Sequence, residues 1–343
     1  VAERAYIALQ PGEPAPWFHQ RSDDSPYYAF DGAAGRYLVL CFLASSQEAL
    51  GAGALKSVAD NRSLFDDKKF SFFGVTMDRR DDAEKLLQPQ LPGIRHLFDF
   101  DGLVGKLYGA LPVDMRANEA NVPMRRFWTV VGPGLRVLRL FPFEADGSEQ
   151  AALFDYLRSL PPPELASGFP QSPPLIMLDN VFEPDLCQGI ATLFRARNKR
   201  DDYLIEDQKL VQAIQIRVQR RILPEVLKVF QFRPTHLENY VVSSLGKKVA
   251  PPHRDNVGGG VAHRRFSISI NLNDDFAGGG LVFPEYSAQA FRAPAGGACV
   301  FSSSLLCADT PVTEGRCLTF RPFLFDDPAA QVRAQNAAAR AQR

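Results

Sequence analysis

The chain has 343 residues, about twice the length of an ordinary single domain, so two domains are expected. Hydrophobic residues make up 45% and charged residues 23%, a globular balance that can support two cores. Lys plus Arg equals Asp plus Glu at 39 each, and this zero net charge argues against a nucleic-acid-wrapping surface.

The longest apolar run, Tyr37 to Ala44, is too short to span a membrane. The first twenty residues carry charges and no apolar block, so no secretory signal is expected. The five cysteines (Cys41, Cys187, Cys299, Cys307, Cys317) are odd in number and lack the spacing of a disulfide framework. Reduced thiols and a cytoplasmic location follow as expectations.

In chain order, Tyr37 to Phe42 and Phe70 to Thr76 read as buried strands, separated by a helical pattern from Gln47 to Asn61. Helices are predicted at Asp81 to Leu87 and Leu103 to Tyr108. Strands at Phe127 to Val131 and Leu135 to Phe141 flank the turn Gly132-Pro133-Gly134, and a last helix runs from Glu149 to Leu160. Strands alternating with helices imply an α/β layer structure over residues 1–160. The segment 161–174 reads PPPELASGFPQSPP. Its prolines fix φ and remove backbone donors, so it is expected to be a linker.

Beyond the linker come a strand at Leu175, a helix opened by Glu183-Pro184-Asp185, and an amphipathic helix over Asp207 to Lys228. Short strands are expected at Leu237 to Ser243, Phe266 to Asn271, Gly280 to Phe283, Ala298 to Phe301 and Cys317 to Leu324. Many short strands with glycine-rich turns suggest a jelly roll over 175–327. The tail from 328 to 343 reads as a polar helix or a frayed end.

The chemistry concentrates in Pro251-Pro252-His253-Arg254-Asp255-Asn256. On a strand, His253 and Asp255 would point the same way, and an imidazole with a carboxylate is two-thirds of the facial triad of non-haem Fe(II) sites.

Two resemblances extend this reading. The phrases PGEPAPWF near the start, FFGVTMD at 72–78, HLFDFDGLVGKLYGA at 96–110 and RFWTVVGPGLRVLR at 126–139 resemble the peroxiredoxin branch of the thioredoxin fold. That family places a reactive cysteine in the turn after its first long strand, where a helix N-terminus lowers the thiol pKa. Here the turn reads Ala44-Ser45-Ser46-Gln47-Glu48, and Cys41 lies inside the strand. The resemblance therefore implies a fold without peroxidase activity, left with a structural, docking or dimerising role, and a homodimer is an open expectation.

The second set is AHRRFSISINLND, GGGLVFPEY, GGACVFSSSLL and PVTEGRCLTFRPFLF, which follow the His253–Asp255 motif in order. Together they resemble the prolyl-hydroxylase-like Fe(II)/2-oxoglutarate dioxygenases, whose fold is a double-stranded β-helix with flanking helices. The resemblance implies Fe(II), 2-oxoglutarate and O2 as cofactors, and a small-molecule or peptidyl substrate oxidised at a C–H bond. Asp255 argues against the halide-binding variant of that chemistry. The family's third metal ligand is a histidine in Leu-Leu-His, where this chain reads Leu305-Leu306-Cys307. The carboxylate anchor for 2-oxoglutarate lies nine or ten residues later, which gives Arg316 or Cys317, and Arg316 is the expected anchor. Tyr240 and Asn271 are expected near the co-substrate.

Three readings of Cys307 stand side by side. It ligates the metal as thiolate and shifts preference toward copper or zinc or a more electron-rich iron. It leaves iron on His253 and Asp255 alone, or catalysis is lost and the domain binds a partner. With a thiolate-ligated metal, an oxidase reaction independent of 2-oxoglutarate is also expected. His263 is a remote substitute ligand, and His19, His96 and His236 have no partner at ligand spacing.

Overall fold

The computed structural model describes residues 4–116, 119, 122–196, 202–258 and 260–341. It divides into two compact units, residues 1–171 and 172–343, with the division inside the proline-rich segment.

The first unit is a mixed sheet of the thioredoxin type. Its elements are β1 (Tyr37–Ala44), α1 (Ala49–Asp60), β2 (Phe70–Thr76), α2 (Arg79–Ala83), β3 (Ile94–Phe98), α3 (Leu103–Tyr108), β4 (Phe127–Val131), β5 (Val137–Pro142) and α4 (Ser148–Ser159). The strand order is β3-β2-β1-β4-β5, with β1, β2 and β3 parallel and β4 and β5 antiparallel. Every residue of β2 and β4 is buried, which explains continuous apolar runs in place of alternation. Val39, Cys41 and Leu43 face α1 and α4, whereas Phe42 packs on Tyr108 from the other side. The sequence reading missed β3, a five-residue strand interrupted by Arg95 and His96. Asp78 caps α2 by accepting from the Arg80 N–H, so this helix starts before the predicted Asp81 and is shorter.

The second unit is built from β6 (Leu175–Leu178), α5 (Pro184–Ala196), β7 (Asp202–Leu204), α6 (Gln208–Arg217), α7 (Leu223–Phe230), β8 (His236–Glu238), β9 (Val241–Leu245), β10 (Phe266–Asn271), β11 (Phe276–Phe283), β12 (Ser287–Phe291), β13 (Ala298–Ser302), β14 (Ala308–Gly315), β15 (Cys317–Phe320), β16 (Phe323–Phe325) and α8 (Asp327–Ala341). A large antiparallel sheet runs β8-β16-β10-β15-β9-β7, with β13 joining β10 to β6, and a small one runs β12-β11-β14. This is a double-sheet arrangement of the jelly-roll type.

Three differences from the sequence reading have local causes. The predicted helix over Asp207 to Lys228 is divided by a π-helical turn at Val218–Ile222, just ahead of Pro224, which has no N–H to donate. The predicted strand Leu237 to Ser243 breaks at Asn239, whose φ of 67° is left-handed. The predicted strand Cys317 to Leu324 breaks at Arg321-Pro322. Three edge strands were missed: β7 and β12 are largely exposed, and β14 carries Pro311, which an edge tolerates. The tail forms α8, with Asp327 in its first turn.

The large sheet separates two environments by simple alternation. Phe266, Ile268 and Ile270 of β10 and Leu318 and Phe320 of β15 face α5, α6 and α7 and form the main core. Ser267, Ser269, Asn271, Cys317 and Thr319 point the opposite way, between the sheets. Truncating Ile270, which is fully buried, should cost the second unit about 2–5 kcal/mol. Urea denaturation of Ile270→Ala followed by circular dichroism checks this.

Candidate metal centre

His253 sits in an isolated antiparallel bridge with Cys307. The two residues exchange both backbone hydrogen bonds, each at 2.9 Å. The motif is thus a bridge running into a turn, not the strand that the spacing suggested. The side chains of His253 and Asp255 converge nonetheless, with His253 Nε2 lying 3.6 Å from Asp255 Oδ1. His253 Nδ1 is 3.0 Å from the Pro251 carbonyl, and the Ser267 hydroxyl donates to Asp255 Oδ2 at 2.7 Å. The Asp255 carboxylate beside it raises the His253 pKa against the effect of burial. Burial pushes Asp255 up, but the neighbouring His253, the hydrogen bond from Ser267 and the charge of Arg321 leave it lowered.

Arg254, between the two, holds the turn in place. Its side chain is 2% exposed and forks onto Glu285 at 3.0 and 2.9 Å. It also donates to the Ser304 carbonyl, and Glu285 accepts the Leu306 N–H at 3.1 Å. One buried ion pair therefore fixes the His253 turn against the segment that carries Cys307.

The Cys307 thiol lies among Leu281, Phe283, Cys299 and Phe301, with Sγ 3.5 Å from the His253 carbonyl. Burial, then the carboxylates of Asp255 and Asp309, push its pKa far above the ordinary thiol range. These surroundings favour the protonated thiol, and ligation would require that proton to leave. Among the described residues no group of three His, Cys, Asp or Glu side chains is placed to hold a metal ion.

A second polar pair occupies the interior. Arg321 follows β15 in phase with Cys317 and Thr319 and lines the same cavity as His253, Asp255 and Cys307. Its guanidinium forks onto Asp309 of β14, one contact at 2.9 Å and the other shorter. Two spaces between the sheets measure about 40 Å³ beside His253 and about 10 Å³ beside Asn271 and Cys317. Such volumes hold a few waters, against roughly 300–1,000 Å³ for small-molecule pockets.

The remaining expected site residues fall as follows. Arg316 has the parity of Leu318 and Phe320, so it is exposed on the opposite side from the cavity. There it donates to Ser244 Oγ and lies 5.6 Å from the Phe194 ring. Cys317 is the residue that faces inward, where the fit of 2-oxoglutarate would need a cation. Tyr240 precedes β9, packs against Phe320 and accepts from Gln215 Nε2 at 2.8 Å, also away from the cavity. Asn271 does face the interior, donating to the Ala293 carbonyl at 2.6 Å. His263 lies 2.9 Å from Glu238, and His96 lies 2.7 Å from Asp23. The residues present do not fit a three-ligand iron centre with bound 2-oxoglutarate. Arg254, Glu285, Asp309 and Arg321 were missed in the sequence. The signal was there for Arg321, four residues beyond Cys317 on an alternating strand.

In the first unit, the turn where a reactive cysteine would stand is filled by hydroxyls and carboxylates. Ser45 donates to Asp78 at 2.7 Å, Ser46 and Thr76 donate to the fully buried Asp81, and Glu48 pairs with Arg126. Cys41 is buried in the core, and burial raises its thiol well above the ordinary value.

No protein-family model matches this chain, and no curated protein matches it. Solved structures similar to it are of two kinds. A viral collagen prolyl hydroxylase from Paramecium bursaria Chlorella virus-1 is 12% identical, covering 45% of this chain and 96% of its own, with TM-score 0.37. A prolyl-4-hydroxylase from Pseudomonas putida is 14% identical, covering 48% of this chain and 95% of its own, with TM-score 0.37. A yeast mitochondrial 1-Cys peroxiredoxin is 16% identical, covering 45% of this chain and 76% of its own, with TM-score 0.39.

Two outcomes follow from the buried groups. Arg254→Ala leaves Glu285 buried and unpaired and should cost about 3–5 kcal/mol, whereas Arg254→Met with Glu285→Leu should cost clearly less, as read by urea denaturation. Burial raises Cys317 to about 11 and Cys299 to about 12, from an ordinary 9.0. The unfolded chain loses these protons first, so their stabilising contribution is complete below that ordinary value and declines as the pH rises through this window. Urea midpoints should fall over this window in the wild type and fall less in Cys299→Ala/Cys317→Ala.

Proposed function

We propose that the second unit is an oxygenase-type double sheet whose centre serves as an internal polar lock, and that the protein works as a two-domain binding module. The observation that carries this reading is the Arg321–Asp309 pair, which lines the same cavity as His253 and Asp255. The guanidinium is a fixed cation beside the donors that a divalent ion would need, and its cost is offset by Asp309 rather than by a metal-bound anion. The inward Cys317 supports the same reading, since it offers no partner for a carboxylate and the guanidinium beside it, Arg321, is taken up by Asp309.

A second reading rests on its own observation. With Nδ1 tied to the Pro251 carbonyl, His253 keeps Nε2 directed at Asp255 Oδ1. That pair can offer two donors to a divalent ion, and iron or another such metal would supply O2 activation when bound.

Anaerobic addition of Fe(II), with and without 2-oxoglutarate, decides between them by metal analysis after desalting and by visible absorption. The wild type should retain no stoichiometric metal and show no band that requires 2-oxoglutarate. Cys307→His/Asp309→Ala/Arg321→Leu, which supplies a third donor and removes both interior charges, should retain more iron than wild type. A 2-oxoglutarate-dependent band in the wild type overturns the proposal and restores the dioxygenase.

A further inference from the structure

The first unit carries a cleft of about 420 Å³ between the N-terminal segment and the start of β4. That volume is in the range of small-molecule sites, roughly 300–1,000 Å³. Ile7, Leu9, Tyr108, Phe127, Leu140 and Pro142 give it apolar walls, and Arg125 and Arg126 are its charged residues.

The walls are built rather than incidental. The segment carrying Ile7 is pinned by the Val113 N–H on the Ala5 carbonyl at 2.9 Å and by the Tyr6 hydroxyl on the Pro123 carbonyl at 2.9 Å. It crosses Gly109 so closely that a Cβ there would lie 1.9 Å from the Ile7 carbonyl oxygen, and Gly109 has φ of +79°. Only glycine lets the segment close over this side of the sheet.

Among the described residues the charged lining of the cleft is cationic. The Arg125 guanidinium lies 3.9 Å from the centroid of the Tyr6 ring, and among the described residues no carboxylate is within ion-pair distance of it. Arg126 pairs with Glu48, but its Nε is buried with no hydrogen-bond acceptor among the described residues. Among the described residues the two guanidiniums at the cleft have one carboxylate between them, and Arg125 is exposed to an incoming ligand. An orphaned donor in a buried position is a standing cost that an acceptor would relieve.

We infer that this cleft binds a small amphiphilic carboxylate, an aryl or alkyl acid whose body lies on Leu9, Phe127 and Leu140 and whose carboxylate faces Arg125 and Arg126. A carboxylate suits the cationic rim, fits the planar fork of a guanidinium, and leaves the apolar walls to its hydrocarbon part. Inorganic phosphate has no hydrocarbon part and would leave the walls wet. The inference uses residues of the first unit alone and does not depend on what the metal centre does.

Isothermal titration of the full chain with 4-phenylbutyrate tests it, with 4-phenylbutanol and inorganic phosphate as comparators. The acid should bind saturably at one site per chain, and both comparators about tenfold or more weaker. Arg125→Gln should weaken the acid by about tenfold, and Leu140→Asp should abolish binding, with melting curves confirming that each variant folds. Should Leu140→Asp not fold, Arg125→Gln decides alone. Absence of saturable binding overturns the inference, as do equal binding of the alcohol, equal binding of phosphate, or acid binding that Arg125→Gln leaves unchanged.

Discussion

A charge placed between two sheets must find its opposite there, and in the second unit that requirement is met by Arg321 and Asp309. In a poorly solvated interior an isolated ion costs several kcal/mol, so the pair exists as a unit or not at all. Its geometry draws on two strands from different sheets: Asp309 sits on β14 of the small sheet, and Arg321 leaves the end of β15 in the large one. The fork between them ties the sheets together at the point where the interior is most polar, next to Ser267, Ser269 and Thr319. Much else about the centre follows. The pair lines both spaces between the sheets, and the field of Asp309 helps to keep the Cys307 proton in place.

The same economy operates on the other side of the motif. Arg254 turns away from the cavity and into its own buried pair with Glu285, which also takes up the backbone N–H of Leu306. His253 and Asp255 are therefore presented by a scaffold that is rigid irrespective of any metal. Preorganisation of this kind is what a catalytic centre needs, and it is also what a structural lock needs. Rigidity at the motif cannot distinguish the two, whereas the identity of the neighbouring charges can.

Sequence and structure agree where a local rule is strong. The buried runs Phe70 to Thr76 and Phe127 to Val131 and the alternating strand Phe266 to Asn271 carry their own period, and they form the strands expected of them. The helix at Leu103 to Tyr108 sits between two glycines in left-handed conformation, a boundary that composition alone conveys. Harder to read were elements shaped by tertiary partners. Ser287–Phe291 and Ala308–Gly315 become strands because β11 lies between them, and neither has the apolar pattern of a buried strand. The centre was half legible. The turn holding His253 and Asp255 stood out by residue type, but the orientation of Arg316 depends on one step of strand parity. Asp309 and Arg321 gain meaning only once two separate strands are set face to face.

The Arg321–Asp309 fork also bears on how readily the chain could change its chemistry by mutation. Removing either partner alone strands the other ion in the interior, a loss of about 3–5 kcal/mol out of a typical 5–15 kcal/mol for a whole domain. A histidine placed at position 307 would leave the fork where it is. Single substitutions at the fork thus lead downhill in stability, and only a concerted change of both charges opens the centre. The fork acts as a ratchet: one-step mutation meets a stability barrier that a paired change avoids.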